Sequence, residues 1–245
     1  MNELVAGIDL CDEYTQVNCN DEEKTWTFPT VLCRHKVSGT WSVGEDAYAQ
    51  TLRGEGSLTD KLVKLVLKEG TATLEGIRYT AVELLERFLE RVLWQVQKNL
   101  GTEAGFQELV FTVRSLDERL TEALYSCGEK LGVDRARIRV IGHTEGLIYY
   151  MLSQKKEIWS GNVGLFDLSE QELRYYELKV QRGLKQNAVL AEFERIEESF
   201  SLDILETPSG AKLGDKILCT CADRLMQRKL YSAVFLMGKG FEKRD

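Results

Sequence analysis

The sequence predicts an α/β fold in two parts, with mixed sheets flanked by helices. Three observations predict it. Between residues 108 and 153 strand-like and helix-like segments alternate, which places parallel strands side by side with helices on their faces. Two blocks of the chain open alike, with an apolar strand ending in aspartate, a short turn and a returning strand: AGIDLCDEYTQV carries Asp9, and VGLFDLSEQELRYYEL carries Asp167. Apolar residues make up 43% of the 245, enough for a core in each part. The division falls at 1–155 and 156–245.

Element by element, Leu4 to Leu10 and Tyr14 to Asn20 read as strands joined by Cys11-Asp12-Glu13. A third strand is expected over Thr30 to Lys36, after Pro29. Gly44-Glu45-Asp46 leads into a short helix ending at Leu52, and Leu58 to Leu67 reads as at least partly extended. Thr71 to Tyr79 reads as a hairpin with Glu75-Gly76 at its tip. Thr80, with Glu83 three residues on, makes a capping box, and Val82, Leu85, Leu89, Val92, Leu93 and Val96 follow at helical spacing as far as Gly101.

Glu108 to Arg114 is a strand, Asp117 to Leu131 a helix stopped by Gly132, Arg137 to Ile141 a strand, and Thr144 to Ser153 a helix. The second block offers three strands at meander spacing: Asn162 to Leu168, Glu172 to Val180 and Leu184 to Arg195. A helix from Pro208-Ser209-Gly210 to Lys229 follows, then a buried strand, Ala233 to Met237. The chain stops eight residues later, which predicts a shortened or partial second part.

Composition excludes several functions. A formal charge of −7 opposes binding to nucleic acid or to an anionic membrane, both of which need a cationic surface. No apolar run approaches the roughly 20 residues of a membrane span, and the first residues, with an early acid and no basic stretch, do not read as a secretory leader. A cytoplasmic protein is expected. The cysteines at 11, 19, 33, 127, 219 and 221 include no CxxC pair, and Cys219 and Cys221 would diverge by about 200° on a helix. With only His35 and His143 beside them, a zinc set is not expected; packed, reduced thiols are.

The ordered set of segments resembles the superfamily of actin, heat-shock chaperone ATPases, cell-division filament proteins and sugar kinases. Beyond the two aspartate turns, FPTVLCRHKVSGTWSVGEDAYAQ resembles the segment in which a proline-led strand precedes Val-Gly and a short helix. ELVFTVRSLDERLTEALYSCGEKLGVDRARIRVIGHTEGLIYYML resembles the chaperone stretch of strand, helix, strand and inter-lobe helix, and SAVFLMGKGF resembles the adenosine-loop strand with its glycines. The resemblance implies a two-lobed, ribonuclease H-like fold with Asp9 and Asp167 facing one gap, where they would help hold magnesium and orient water beside ATP. Cys11, Asp12 and Ser169 would lie in the phosphate turns, and Gly238 and Gly240 on the adenosine side.

The turns depart from that pattern. Leu10, Cys11, Asp12 and Glu13 follow the first aspartate, and Ser169 and Glu170 stand where glycines would approach phosphate. Asp12, Glu13 and Glu170 would repel a triphosphate, each like-charge pair at 4 Å costing about 1 kcal/mol in water and about 4 at an effective dielectric of 20.

Several readings stay open at this stage. Asp9 and Asp167 either hold a metal and water or merely satisfy turn amides. Asp12-Glu13 is either a solvated hairpin tip or part of a degenerate phosphate site. His143 is either a general base or a capping or packed residue, with Glu145 nearby where the chaperone pattern has a glutamate. Gly238 and Gly240 either touch a nucleotide or simply make a turn. Tyr149-Tyr150 and Tyr175-Tyr176 read as half core and half surface, and Glu192 to Glu198 as a solvated face. The function expected is a non-catalytic interaction or scaffold protein of the bacterial cytoplasm with a protein partner. A working Mg-ATP-dependent ATPase or nucleotide-gated switch is the alternative. A small-molecule kinase comes third, since no dedicated catalytic aspartate can be placed.

Overall fold

A computed structural model describes residues 4–19, 24–153, 161–169, 172–182, 189–201, 223, 233–238 and 241. The chain forms two compact units, Met1–Tyr149 and Tyr150–Asp245.

In the first unit, β1 (Leu4–Leu10), β2 (Tyr14–Cys19) and β3 (Thr25–Pro29) form an antiparallel meander. On the other side of β1, β9 (Phe106–Val113) and then β10 (Ile138–Gly142) add in parallel, giving the order β10-β9-β1-β2-β3. Strand alternation divides the residues of this sheet between two faces. Ala6, Ile8, Leu10, Leu109, Phe111 and Val113 are buried, whereas Val5, Gly7, Asp9, Val110 and Thr112 on the opposite face are half-buried or exposed.

The buried face joins the core that α3 (Ala81–Leu100) shares. Leu84, Leu85, Phe88, Leu89, Val92, Leu93 and Val96 are all buried on one side of that helix, each worth about 1.5–3 kcal/mol. Its capping box is present as expected: Thr80 Oγ1 accepts from the Glu83 amide at 3.3 Å, and the Thr80 amide donates to Glu83 Oε2 at 2.7 Å. Gly101, at φ 66°, ends the helix in the left-handed conformation that glycine permits.

The remaining elements of this unit are β4 (Leu32–His35), β5 (Trp41–Val43) and β6 (Gly56–Thr59), a small sheet in the order β5-β4-β6; α1 (Gly44–Leu52); α2 (Leu62–Leu67); the hairpin β7 (Thr71–Leu74) and β8 (Ile77–Thr80); α4 (Glu118–Lys130); and α5 (His143–Ser153).

Two expectations are refined. The strand expected around Thr30 to Lys36 is present as β4, Leu32–His35, but a further strand precedes it: Pro29 ends β3, at the edge of the large sheet where a missing amide is tolerated, and the chain turns at Thr30 into β4. The hydroxyls of Thr15 and Thr30, both buried, meet at 2.9 Å at that turn. Leu58 to Leu67 is extended only as far as Thr59, and Leu62–Leu67 is helix. An apolar run this short has no decisive period; a residue distant in sequence decides its conformation, as shown below.

In the second unit, β11 (Gly161–Ser169), β12 (Glu172–Arg182) and β13 (Val189–Ser201) form an antiparallel meander. β14 (Ala233–Met237) pairs in parallel with β11, giving the order β13-β12-β11-β14. This repeats the first unit's β3-β2-β1-β9. The register repeats as well: Asp9 faces Gln16 and Asp167 faces Arg174, each aspartate opposite the residue seven positions further along.

Val163, Leu165, Phe166, Leu168, Tyr175 and Tyr176 are buried in this unit, with the Phe166 and Tyr175 rings 4.9 Å apart. The tyrosine pairs thus differ from the half-and-half expectation: Tyr175 and Tyr176 are core, while Tyr149 and Tyr150 are exposed. The acidic run Glu192 to Glu198 lies within β13, which extends beyond its expected end. The helix expected over 208–229 lies outside the described residues.

Candidate functional site

Asp9 sits near the carboxyl end of β1, on the less covered face, where the sheet changes from antiparallel to parallel pairing. Open α/β sheets bind ligands at such points. Register places Thr112 of β9 beside it, and the Thr112 hydroxyl donates to Asp9 Oδ1 at 2.9 Å. His143, the first residue of α5 and directly after β10, brings Nε2 to 2.7 Å from the same oxygen. The Asp9 side chain is 49% exposed and that of His143 12%.

Gly146, one turn along α5, allows this approach: a Cβ there would lie 3.0 Å from Thr112 Cγ2. Desolvation pushes the Asp9 pKa up, but contact with His143, the imidazolium charge and the Thr112 hydroxyl outweigh it, so the carboxyl titrates below the usual aspartate range. Sequence reading singled out Asp9 and His143 without pairing them, and it missed Thr112. Its one signal was a threonine inside the otherwise apolar run LVFTV.

The turn between β1 and β2 is committed to local structure. The Cys11 amide and thiol both donate to the Tyr14 carbonyl, at 3.2 and 3.0 Å, and the Tyr14 amide donates back to Cys11 Sγ at 3.5 Å. Glu13 is exposed, and its carbonyl accepts from the Thr30 amide at 3.1 Å.

Asp12 corrects the expectation of a solvated tip. It is 8% exposed, and its carboxylate accepts from the Val63 amide at 2.8 Å and the Lys64 amide at 3.3 Å, with Lys64 Nζ at 4.0 Å. These are orphan donors at the start of α2, whose own N-cap, Lys61, is left-handed and supplies no side-chain cap. One of the three carboxylates expected to repel phosphate is therefore turned into the protein. Another, Glu170, lies outside the described residues.

In the second unit Asp167 is 1% exposed, opposite Arg174 on β12 and Met237 on β14. Gly238 follows β14 at φ 91°; a Cβ there would lie 2.3 Å from the Leu168 carbonyl oxygen and 2.9 Å from Asp167 Oδ1. The glycine is needed for this close approach, which brings Gly238 and Asp167 together. Ser169 ends β11, opposite Glu172. Gly240 lies outside the described residues.

The magnesium that the resemblance implies fits these surroundings poorly. Asp9 Oδ1 already has two partners, one of them an imidazole. Asp167 is too enclosed for a cation that keeps several of its waters. Among the described residues no group of three or more His, Cys, Asp or Glu side chains is arranged to hold a metal.

His35 is structural, its Nδ1 accepting from the Val37 and Ser38 amides at 3.1 Å. Cys19, Cys33 and Cys127 are buried and not disulfide-bonded, as expected, and burial pushes Cys127 well up from the ordinary thiol range. No helix among the described residues is long and apolar enough to cross a membrane.

No curated protein matches this chain. The C-terminal family of unknown function DUF5716 matches residues 13–245, and the protein belongs to that family.

Proposed function

We propose that the protein is a scaffold or interaction protein of the bacterial cytoplasm, built on a two-lobed actin-like ATPase fold whose phosphate site has become structural. The fold reading is supported by the repeated meander with a parallel neighbour, and by an aspartate at the same register position in each unit. Fold alone does not fix function.

One observation carries the loss of nucleotide chemistry. In the β1–β2 turn the Cys11 and Tyr14 amides donate within the turn, and the Asp12 carboxylate caps α2. A turn that cradles phosphate must instead present its amides outward. Melting the full chain with and without millimolar Mg-ATP tests the reading. No shift is expected, and a rise of several degrees overturns it.

A nucleotide-gated switch is the second reading, favoured by one observation: Asp9 remains half exposed and ionised at the carboxyl ends of β1 and β9. It requires phosphate release that disappears in Asp9→Ala. Turnover that persists in that variant, or no turnover in the wild type, retires it.

A further inference from the structure

The oxygen through which Asp9 would meet a metal is held by the protein itself. An ionised carboxylate offers about four lone-pair sites on its two oxygens. Here Oδ1 receives the Thr112 hydroxyl at 2.9 Å and lies 2.7 Å from His143 Nε2. Both groups are placed by the backbone. Thr112 is Asp9's register partner on β9, and β10 delivers His143 at the start of α5, with Gly142 in register with Val113.

We propose that His143 is a built-in counter-ion for Asp9, standing where an external cation would draw on that carboxylate and making the pair a metal-independent strut between β1 and the first turn of α5. Two further observations support it. The imidazole side chain is only 12% exposed, which suits a lasting partner better than an occasional visitor. At Gly146 there is no Cβ to press against Thr112 in the first turn of α5. The strut fastens the helix in which the first unit ends at Tyr149. Only the choice of Asp9 as the position for a cation rests on the reading above; the strut rests on geometry.

The test uses the full chain without nucleotide, Mn2+ as the probe read by electron paramagnetic resonance, and hydrogen exchange along α5. Wild type and Asp9→Asn are expected to take up Mn2+ equally. Asp9→Asn and His143→Asn are each expected to speed exchange in the first turn of α5 by about tenfold, and the double variant no further than either. His143→Gln, which restores a neutral donor, should recover part of the protection and guards against a variant that fails to fold.

Mn2+ uptake by the wild type that is lost in Asp9→Asn overturns the proposal, as does unchanged exchange in both single variants. The two readings fail separately. A melting rise with Mg-ATP but no Asp9-dependent Mn2+ uptake overturns the scaffold and leaves the strut. Asp9-dependent uptake with no nucleotide response does the reverse.

Discussion

The Asp12 carboxylate accepts a hydrogen bond of 2.8 Å from the amide of Val63, 51 positions further along the chain, and so supplies the cap that α2 lacks. A helix of six residues is far below the length at which helices persist alone. It forms here because Leu62, Val63 and Val66 are buried and because its first amides have an acceptor.

Asp12→Ala is therefore expected to destabilise the chain by about 1–3 kcal/mol, more than a surface cap, since it leaves the buried Val63 amide unsatisfied. Asp12→Asn keeps an acceptor oxygen and should lose less. Urea unfolding measures both, and exchange at the Val63 and Lys64 amides localises the effect. Equal stability of Asp12→Ala and wild type would refute the assignment.

Thr80→Ala removes the capping box of α3 and should cost about 1 kcal/mol. Because α3 carries much of the first unit's core, the loss should appear as a lower midpoint with an unchanged urea dependence.

Gly238 packs against the Leu168 carbonyl at positive φ, so Gly238→Ala meets both a backbone clash and a strained conformation. A loss of roughly 2–4 kcal/mol is expected by thermal or urea unfolding. Gly76, which also has positive φ but nothing within 4 Å of its would-be Cβ, is the control: Gly76→Ala should lose clearly less.

Gly146→Ala sets two effects against each other. Alanine favours the helix by about 0.5–1 kcal/mol, but its Cβ would meet Thr112 Cγ2 at 3.0 Å, and Thr112 is held by its bond to Asp9. The single variant is expected to lose stability. In a Thr112→Ser background, which lacks that methyl, the same substitution should gain. Additivity of the two changes in a double-mutant cycle would count against the close packing.

The lowered pKa of Asp9 fixes the sign of a pH effect. The folded carboxyl holds its charge to lower pH than the unfolded one, so its contribution is complete above the unfolded value of about 4. It is lost as pH falls through the folded value. The stability gap between wild type and Asp9→Asn should shrink as pH falls from about 4 to 2. A gap that widens over that range contradicts the assignment.

Much of the architecture was legible because its signals act over a few residues. The period of α3, the Thr80–Glu83 box, the stop at Gly101, the hairpin at Glu75-Gly76 and the meander strands each follow from near neighbours. The paired strand–aspartate–turn segments were legible as well, and the structure gives them matching registers.

What the tertiary structure decided was conformation and partnership wherever local signals were silent or balanced. Leu62–Leu67 became helix through an acceptor on a remote turn. Tyr175 became core and Tyr149 surface through what packed on their elements. Asp9 and His143, unremarkable apart, became a pair only when β10 was laid beside β9 and Gly146 let α5 close over Thr112. Periodicity and capping report on the chain within about one turn or one hairpin. Burial and charge partnership depend on residues that meet only after the sheet has formed.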